Sequence, residues 1–208
     1  NFMKRKVLES KRAIFYAWML FAVLLGMIIW TVWGNTALMV STVDVSGSRI
    51  PGAFDGLRIA QVSDLHNAVF GKDHAKLIHK LSECEPDIIV ITGDLVDAER
   101  TDLDAALDFA KGAVEIADTY YVTGNHEACL PQYGELQTAL ERIGVIVLDD
   151  VSMQLEYHGE RVMLIGLSDP DFTRKRDILG EVSAMADAKL RELMGEEDSY
   201  TILLSHRP

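Results

Sequence analysis

Two regimes of hydrophobic patterning divide this chain. From Ala13 to Val43 there is no charged residue, and Ile14 to Val32 is almost wholly apolar on every helical face. Those 19 residues, as a helix rising about 1.5 Å per residue, span roughly 28 Å, the hydrocarbon thickness of a bilayer. Tyr16 and Trp18 stand near one end of the run and Trp30 and Trp33 near the other, as aromatic belts do at the two membrane–water interfaces. After Ile50 the pattern changes to short apolar runs alternating with amphipathic stretches. It predicts strands over Leu57–Val62, Asp87–Ile91, Tyr120–Val122 and Val145–Leu148, then over Ser152–Tyr157, Arg161–Leu167 and Tyr200–Leu204. Helices are predicted over Asp73–Leu81, Leu103–Ala117, Tyr133–Ile143 and Ile178–Met194. His158-Gly159-Glu160 reads as a hairpin turn, and Thr42 to Phe54 as a short strand and linker. Strands alternating with helices place the second part in the α/β class.

Charge orients the apolar segment. Residues 1–12 contribute +4 to a net charge of -12, so the remainder carries -16. A basic cluster ahead of the span keeps the N-terminus cytoplasmic and sends the rest outside. Asn35-Thr36-Ala37 is a poor small-x-small site, so an uncleaved anchor is favoured over a cleaved signal peptide. The expected layout is a basic cytoplasmic tail over 1–12, a transmembrane anchor over 13–34, a linker over 35–49 and one domain over 50–208. An acidic body repels polyanions and argues against nucleic acid as the main partner. Cys84 and Cys129 form no C-x-x-C pair and are expected as free buried thiols.

Four strands run directly into short polar motifs: Ser63-Asp64-Leu65-His66, Thr92-Gly93-Asp94-Leu95-Val96-Asp97, Thr123-Gly124-Asn125-His126-Glu127 and Ser205-His206. Functional groups of open α/β sheets gather beyond the carboxyl ends of strands, so the four motifs converge on one crest. Any one of them alone is an ordinary surface turn. Together they offer carboxylate oxygen, imidazole nitrogen and amide oxygen, a donor set for first-row divalent ions. Thiolate is missing from the set, against a structural zinc site. Gly93 and Gly124 permit backbone conformations or close approaches that a side chain would obstruct.

In this order and spacing the motifs resemble the calcineurin-like metallophosphoesterases, whose pattern is D-x-H, G-D-x-x-D, G-N-H-E/D, a lone His, then G-H-x-H. Ile59-Ala60-Gln61-Val62 ahead of the first block and Phe70-Gly71 after it look like a bacterial membrane-anchored branch. The resemblance covers about Ile50 to Pro208. It implies a four-layer α/β/β/α sandwich and a phosphodiesterase or phosphomonoesterase in which two divalent ions (manganese, zinc or iron) activate a water. No G-H-x-H occurs in the chain, so the expected domain is incomplete at its C-terminus. A non-catalytic metal-binding surface domain is the alternative.

Carried over position by position, the resemblance makes Asp64 and His66 ligands of one metal, Asn125 and His206 ligands of the other, and Asp94 the bridge. A shared carboxylate offsets the repulsion of two dications about 3.5–4 Å apart. His126 corresponds to the catalytic histidine that protonates the leaving oxygen or stabilises its charge, with Glu127 as the residue that orients it. The substrate implied is a phosphate ester, and the bilayer contact points to a lipid-linked or envelope-derived one. Asp97 is expected to cap a turn or to stand behind the ligands without being one, His74, His79 and His158 to lie on the surface, and Asp169-Pro170-Asp171 to form a plain turn in preference to a loop that approaches the substrate.

Overall fold

A computed structural model describes residues 2–173, 181–195 and 199–207. It divides into two units, Asn1–Thr42 and Val43–Pro208. The first contains one helix, α1 (Phe2–Thr36). The stretch Ile14–Thr31 is long and apolar enough to cross a membrane. Trp18, Phe21, Ile28 and Trp30 each leave more than half of their surface uncovered, as lipid-facing side chains would.

The second unit is built on two sheets. In chain order its elements are β1 (Ile59–Val62), α2 (Ala75–Glu83), β2 (Ile88–Thr92), α3 (Leu103–Val114), β3 (Asp118–Val122), α4 (Asn125–Ala128), α5 (Tyr133–Ile143) and β4 (Ile146–Val147). They continue with β5 (Val151–Tyr157), β6 (Glu160–Gly166), α6 (Glu181–Met194) and β7 (Thr201–Leu204). The first sheet has the order β1-β2-β3-β4 and the second β5-β6-β7. All pairings in the first sheet are parallel, with Ile59 opposite Ile88 and Ile88 opposite Asp118. In the second, β5 and β6 form the expected hairpin, closed by His158 and Gly159 with φ of 47° and 85°, while β7 joins β6 in parallel.

Strand periodicity explains the layering. Ile88 and Val90 on β2, and Tyr120 and Val122 on β3, form one buried cluster with Leu155, Val162, Leu164 and Leu204 of the second sheet. The alternate residues Ile89, Ile91 and Tyr121 are fully buried too, which requires helices on the opposite face. There α3 packs against β3, α2 and α5, and α6 packs on β5 and β6 of the second sheet. The Asp102 carboxylate caps α3 by accepting from the Ala105 N–H at 3.1 Å.

The predicted elements shift in a few places. Thr42 to Phe54 contains no strand; Val43 and Val45 are exposed and no neighbouring strand pairs with them, so their only regular feature is a single 3₁₀ turn at Gly52–Phe54. The helix expected from Asp73 begins at Ala75, because Asp73 and His74 take left-handed backbones with φ of 51° and 58°. That kink turns His74 inward rather than to the surface. It is 1% exposed, lies 5.7 Å from the Phe109 ring, and burial pushes its pKa below the usual 6.5. Cys84 and Cys129 are in no disulfide, but neither is buried: Cys84 is half-covered, and Cys129, at the surface end of the short α4, is exposed. Of the helix expected over Ile178–Met194, the first three residues lie outside the described ones.

Candidate metal centre

Because β1, β2 and β3 lie parallel and adjacent, Asp64, Asp94 and Asn125 leave the sheet at the same edge. The backbone ladder carries on past the strand ends: Asp64 N–H donates to Gly93 O at 3.1 Å and His66 N–H to Asp94 O at 2.9 Å. Asp64, His66 and Asp94 all take left-handed backbones, with φ of 56°, 45° and 51°. Such a residue costs roughly 1–2 kcal/mol unless its surroundings hold it, and conformations of this kind gather at functional sites.

The side chains converge as the motifs implied. His66 Nε2 lies 3.8 Å from Asp64 Oδ1 and 3.4 Å from Asp94 Oδ2. On the other side of Asp94, His206 Nε2 is also 3.4 Å from Oδ2, and it is 3.2 Å from Asn125 Oδ1. Two donor atoms each about 2.1 Å from one ion, at roughly tetrahedral or octahedral angles, lie about 3.0–3.4 Å apart. The spacings around Asp94 and His206 fall in that range and the 3.8 Å between His66 and Asp64 lies just beyond it, so the donor set suits divalent ions on both sides of Asp94 once Asp64 closes slightly. Asp94 is almost fully buried, whereas Asp64 is exposed and His66 a third exposed, so the cluster opens to solvent on the Asp64 side.

Two glycines make this convergence possible. Gly93 has φ of 82°, and a Cβ there would stand 2.6 Å from Gly124 Cα and 2.8 Å from His206 Nδ1. A Cβ on Gly124 would reach Asp94 Oδ1 at 2.3 Å. Any larger side chain at either position would push the motifs apart.

The two histidines nearest the chemistry use Nδ1 in opposite senses. His206 Nδ1 lies 2.9 Å from Thr92 O, and a carbonyl can only accept, so Nδ1 carries a proton and Nε2 is the nitrogen that faces the oxygens of Asn125 and Asp94. His126 Nδ1 instead accepts from the Ala98 N–H at 3.1 Å, which puts the neutral ring's proton on Nε2. The His126 and His66 rings meet edge to face at 4.4 Å. His126, His66 and Asp97 are also close enough to form a metal-binding group. However, Asp97 accepts from the N–H groups of Glu99 and Arg100 at 2.8 and 3.0 Å, bonds that hold its carboxyl below the usual range. That is the turn-capping expected of it.

Glu127 does not orient His126. Its carboxylate is completely buried and faces backbone: Oε1 accepts from Leu95 N–H at 2.8 Å and Val96 N–H at 3.2 Å, and Oε2 from Asp94 N–H and Gly124 N–H, both at 2.9 Å. One side chain thereby ties the loop after β2 to the loop after β3. The bond to Gly124 is half of a capping box for the one-turn helix α4, an element absent from the predicted set. Asp94 Oδ1 returns the tie by accepting from the His126 N–H at 2.9 Å.

Sequence reasoning passed over Asp149 and Arg207. Asp149 accepts from the N–H and hydroxyl of Thr123, both at 3.0 Å, and from the Tyr133 hydroxyl; burial pushes its carboxyl upward. Asp169 is not part of a plain turn: it is buried, and its two oxygens lie 2.9 Å from Nε and Nη2 of Arg207, next to His206. Arg207 Nη2 also meets Asp171 Oδ2 at 2.6 Å. Its adjacency to His206, a charged residue just beyond a strand end, was the available signal. His79 and His158 are exposed as expected, His79 beside Glu83 at 3.4 Å.

Known proteins match this arrangement. The family model for calcineurin-like phosphoesterases matches residues 57–208. A transmembrane protein with a metallophosphoesterase domain from Bos taurus is 29% identical over 178 residues, covering 81% of this chain and 39% of that protein. The uncharacterized metallophosphoesterase YkoQ of Bacillus subtilis is 27% identical over 173 residues, covering 81% of this chain and 60% of its own. The chain thus spans less than two thirds of the length of these relatives. Among solved structures, the phosphopantetheinyl hydrolase PptH of Mycobacterium tuberculosis shares the fold at a TM-score of 0.52 and 16% identity, over 73% of this chain and 68% of that one. With the matched region covering both sheets and all four motifs, the chain belongs to the calcineurin-like metallophosphoesterase family of phosphoric ester hydrolases.

Proposed function

We propose that this protein is a membrane-anchored phosphoesterase, with a phosphodiester as its favoured substrate class, whose centre holds two divalent ions. The observation that carries this reading is Asp94 Oδ2, equidistant at 3.4 Å from His66 Nε2 and His206 Nε2. In that position Asp94 serves as the shared ligand, Asp64 and His66 hold one ion, and Asn125 and His206 hold the other. Divalent ions at such a centre polarise the phosphoryl oxygens and make a water acidic enough to act as nucleophile near neutral pH.

The chain's own groups do the rest. Asn125 offers a neutral oxygen, which leaves its ion more electrophilic than a carboxylate would. The His206 Nδ1–H bond to Thr92 O leaves Nε2 as the nitrogen for ligation. His126, with its proton on Nε2, is a donor to the leaving oxygen. Glu127 acts at one remove, by fixing the backbone on which Asp94 and Asn125 stand. Zinc, manganese and iron all suit a mixed carboxylate, imidazole and amide set.

The anchor sets the location. The +4 tail ahead of the apolar helix supports a cytoplasmic N-terminus with the acidic domain outside. A site held at the membrane surface favours a lipid-linked or envelope-derived phosphate ester. The decisive test is a screen of aryl phosphate mono- and diesters with manganese present, on the parent and on Asp94→Asn. Diester turnover lost in the variant supports the reading. Manganese binding by the parent with no turnover of any ester would leave a non-catalytic metal-binding domain instead.

A further inference from the structure

The tail after β7 has to hold His206 against two loops of the other sheet, and among the described residues β7 pairs with β6 alone. The imidazole is anchored by Nδ1 on Thr92 O at 2.9 Å, with Nε2 facing Asn125 Oδ1 at 3.2 Å. Arg207 supplies a second restraint. Its Nη2 donates to Oδ1 of the buried Asp169 carboxylate at 2.9 Å and continues to Asp171 at 2.6 Å, while its Nε stands 2.9 Å from Asp169 Oδ2 as an ion pair without the alignment of a hydrogen bond. Asp169 is itself tied down, since its N–H donates to the Thr123 hydroxyl at 3.2 Å and Asp169 Oδ1 accepts from the Asp171 N–H at 2.9 Å. Thr123 in turn immediately precedes Gly124 and Asn125. The Ser205 hydroxyl closes the tail by donating to Arg207 O at 2.7 Å.

We infer that Arg207 is a positioning residue: its clamp on Asp169 and Asp171 sets where His206 stands, and thereby the affinity for the ion that Asn125 and His206 hold. This rests on the two-ion reading above. The fork is suited to the task, because a planar guanidinium that reaches the Asp169 and Asp171 carboxylates together fixes direction as well as distance, which a lysine ammonium does not. The clamp touches neither Asp64 nor His66, so its effect falls chiefly on the ion that His206 holds, with only a longer-range charge interaction reaching Asp94. Residues that orient a ligand from outside the coordination shell typically contribute about 10- to 100-fold in metal affinity.

The test is manganese binding to the whole chain, by isothermal titration, with the electron paramagnetic resonance spectrum as a second readout. Arg207→Gln is expected to weaken one of two binding events by about 10- to 100-fold and leave the other nearly unchanged, replacing the coupled two-ion spectrum with that of an isolated ion. Arg207→Lys should fall between Gln and the parent, because charge survives but the fork does not. Asp171→Asn, at an exposed position, should give a smaller loss with the fold intact. Parental affinities in Arg207→Gln, or equal weakening of both ions in all three variants, would overturn the clamp. His206→Ala is the control for the underlying assignment: if it leaves both affinities at the parental level, the two-ion reading itself is wrong, independently of Arg207.

Discussion

Replacing Glu127 with glutamine changes one oxygen for an NH₂ group and almost nothing in size, so its consequences follow from hydrogen bonds alone. The carboxylate accepts four backbone N–H bonds, two on each oxygen, at a position with no solvent exposure. Glutamine keeps one accepting oxygen and turns a pair of N–H donors against another donor. Each buried N–H left without an acceptor costs about 1–3 kcal/mol, so two cost about 2–6 kcal/mol. That is a large part of the roughly 5–15 kcal/mol that holds an ordinary domain together. Glu127→Gln should therefore lower the urea midpoint substantially at an unchanged m-value. It should also weaken manganese binding, because the released N–H groups belong to the loops that carry Asp94 and Asn125. Alanine, which abandons all four donors, should be worse than glutamine. A glutamine variant within about 0.5 kcal/mol of the parent would refute the claim that these four bonds hold the loops together.

Asp94→Asn should reduce the affinity for both ions and nearly abolish turnover, whereas His126→Ala should keep its metal content and slow hydrolysis by about 10²–10⁴-fold; equal metal loss in the two would reverse the roles. Gly124→Ala forces a Cβ to 2.3 Å from Asp94 Oδ1, so metal binding should collapse even though the substitution adds one methyl group, as titration would show. His74 gives a pH dependence of known sign. Burial lowers its pKa from 6.5, so its contribution to stability is complete above that pH and is lost as pH falls toward the depressed folded value. His74→Asn tolerates the left-handed backbone and removes the titration; urea midpoints should decline less steeply below pH 6.5 than in the parent, whatever the constant offset.

The α/β class was legible because β2 is apolar from Ile88 to Ile91 and β1 and β3 end in polar motifs, a pattern that buried parallel strands impose on a sequence. The convergence of Asp64, His66, Asp94, Asn125 and His206 was legible for a related reason: strand ends put them at one edge. What could not be read was anything carried by backbone conformation. The left-handed residues Asp73 and His74 broke an amphipathic run that looked continuous, and drove a histidine inward. Glu127 follows His126 in sequence, which suggested a partner for the imidazole. In the fold its carboxylate turns to N–H groups about 30 residues upstream, a contact no local spacing announces. Asp169 and Arg207 lie 38 positions apart and meet only through the parallel pairing of β6 and β7.

The division of the centre between two sheets also permits an order of assembly. Asp64, His66, Asp94 and Asn125 are all delivered by β1, β2 and β3, which the ribosome completes and which can pair through helical crossovers before β7 is made. His206 arrives later, on a strand that belongs to the other sheet. Chain order therefore allows a half-site, with carboxylates, an imidazole and an amide at one sheet edge, before His206 exists. The docking of the second sheet, sealed by Leu155, Val162, Leu164 and Leu204 against Ile88, Val90 and Val122, is the event that closes that half-site.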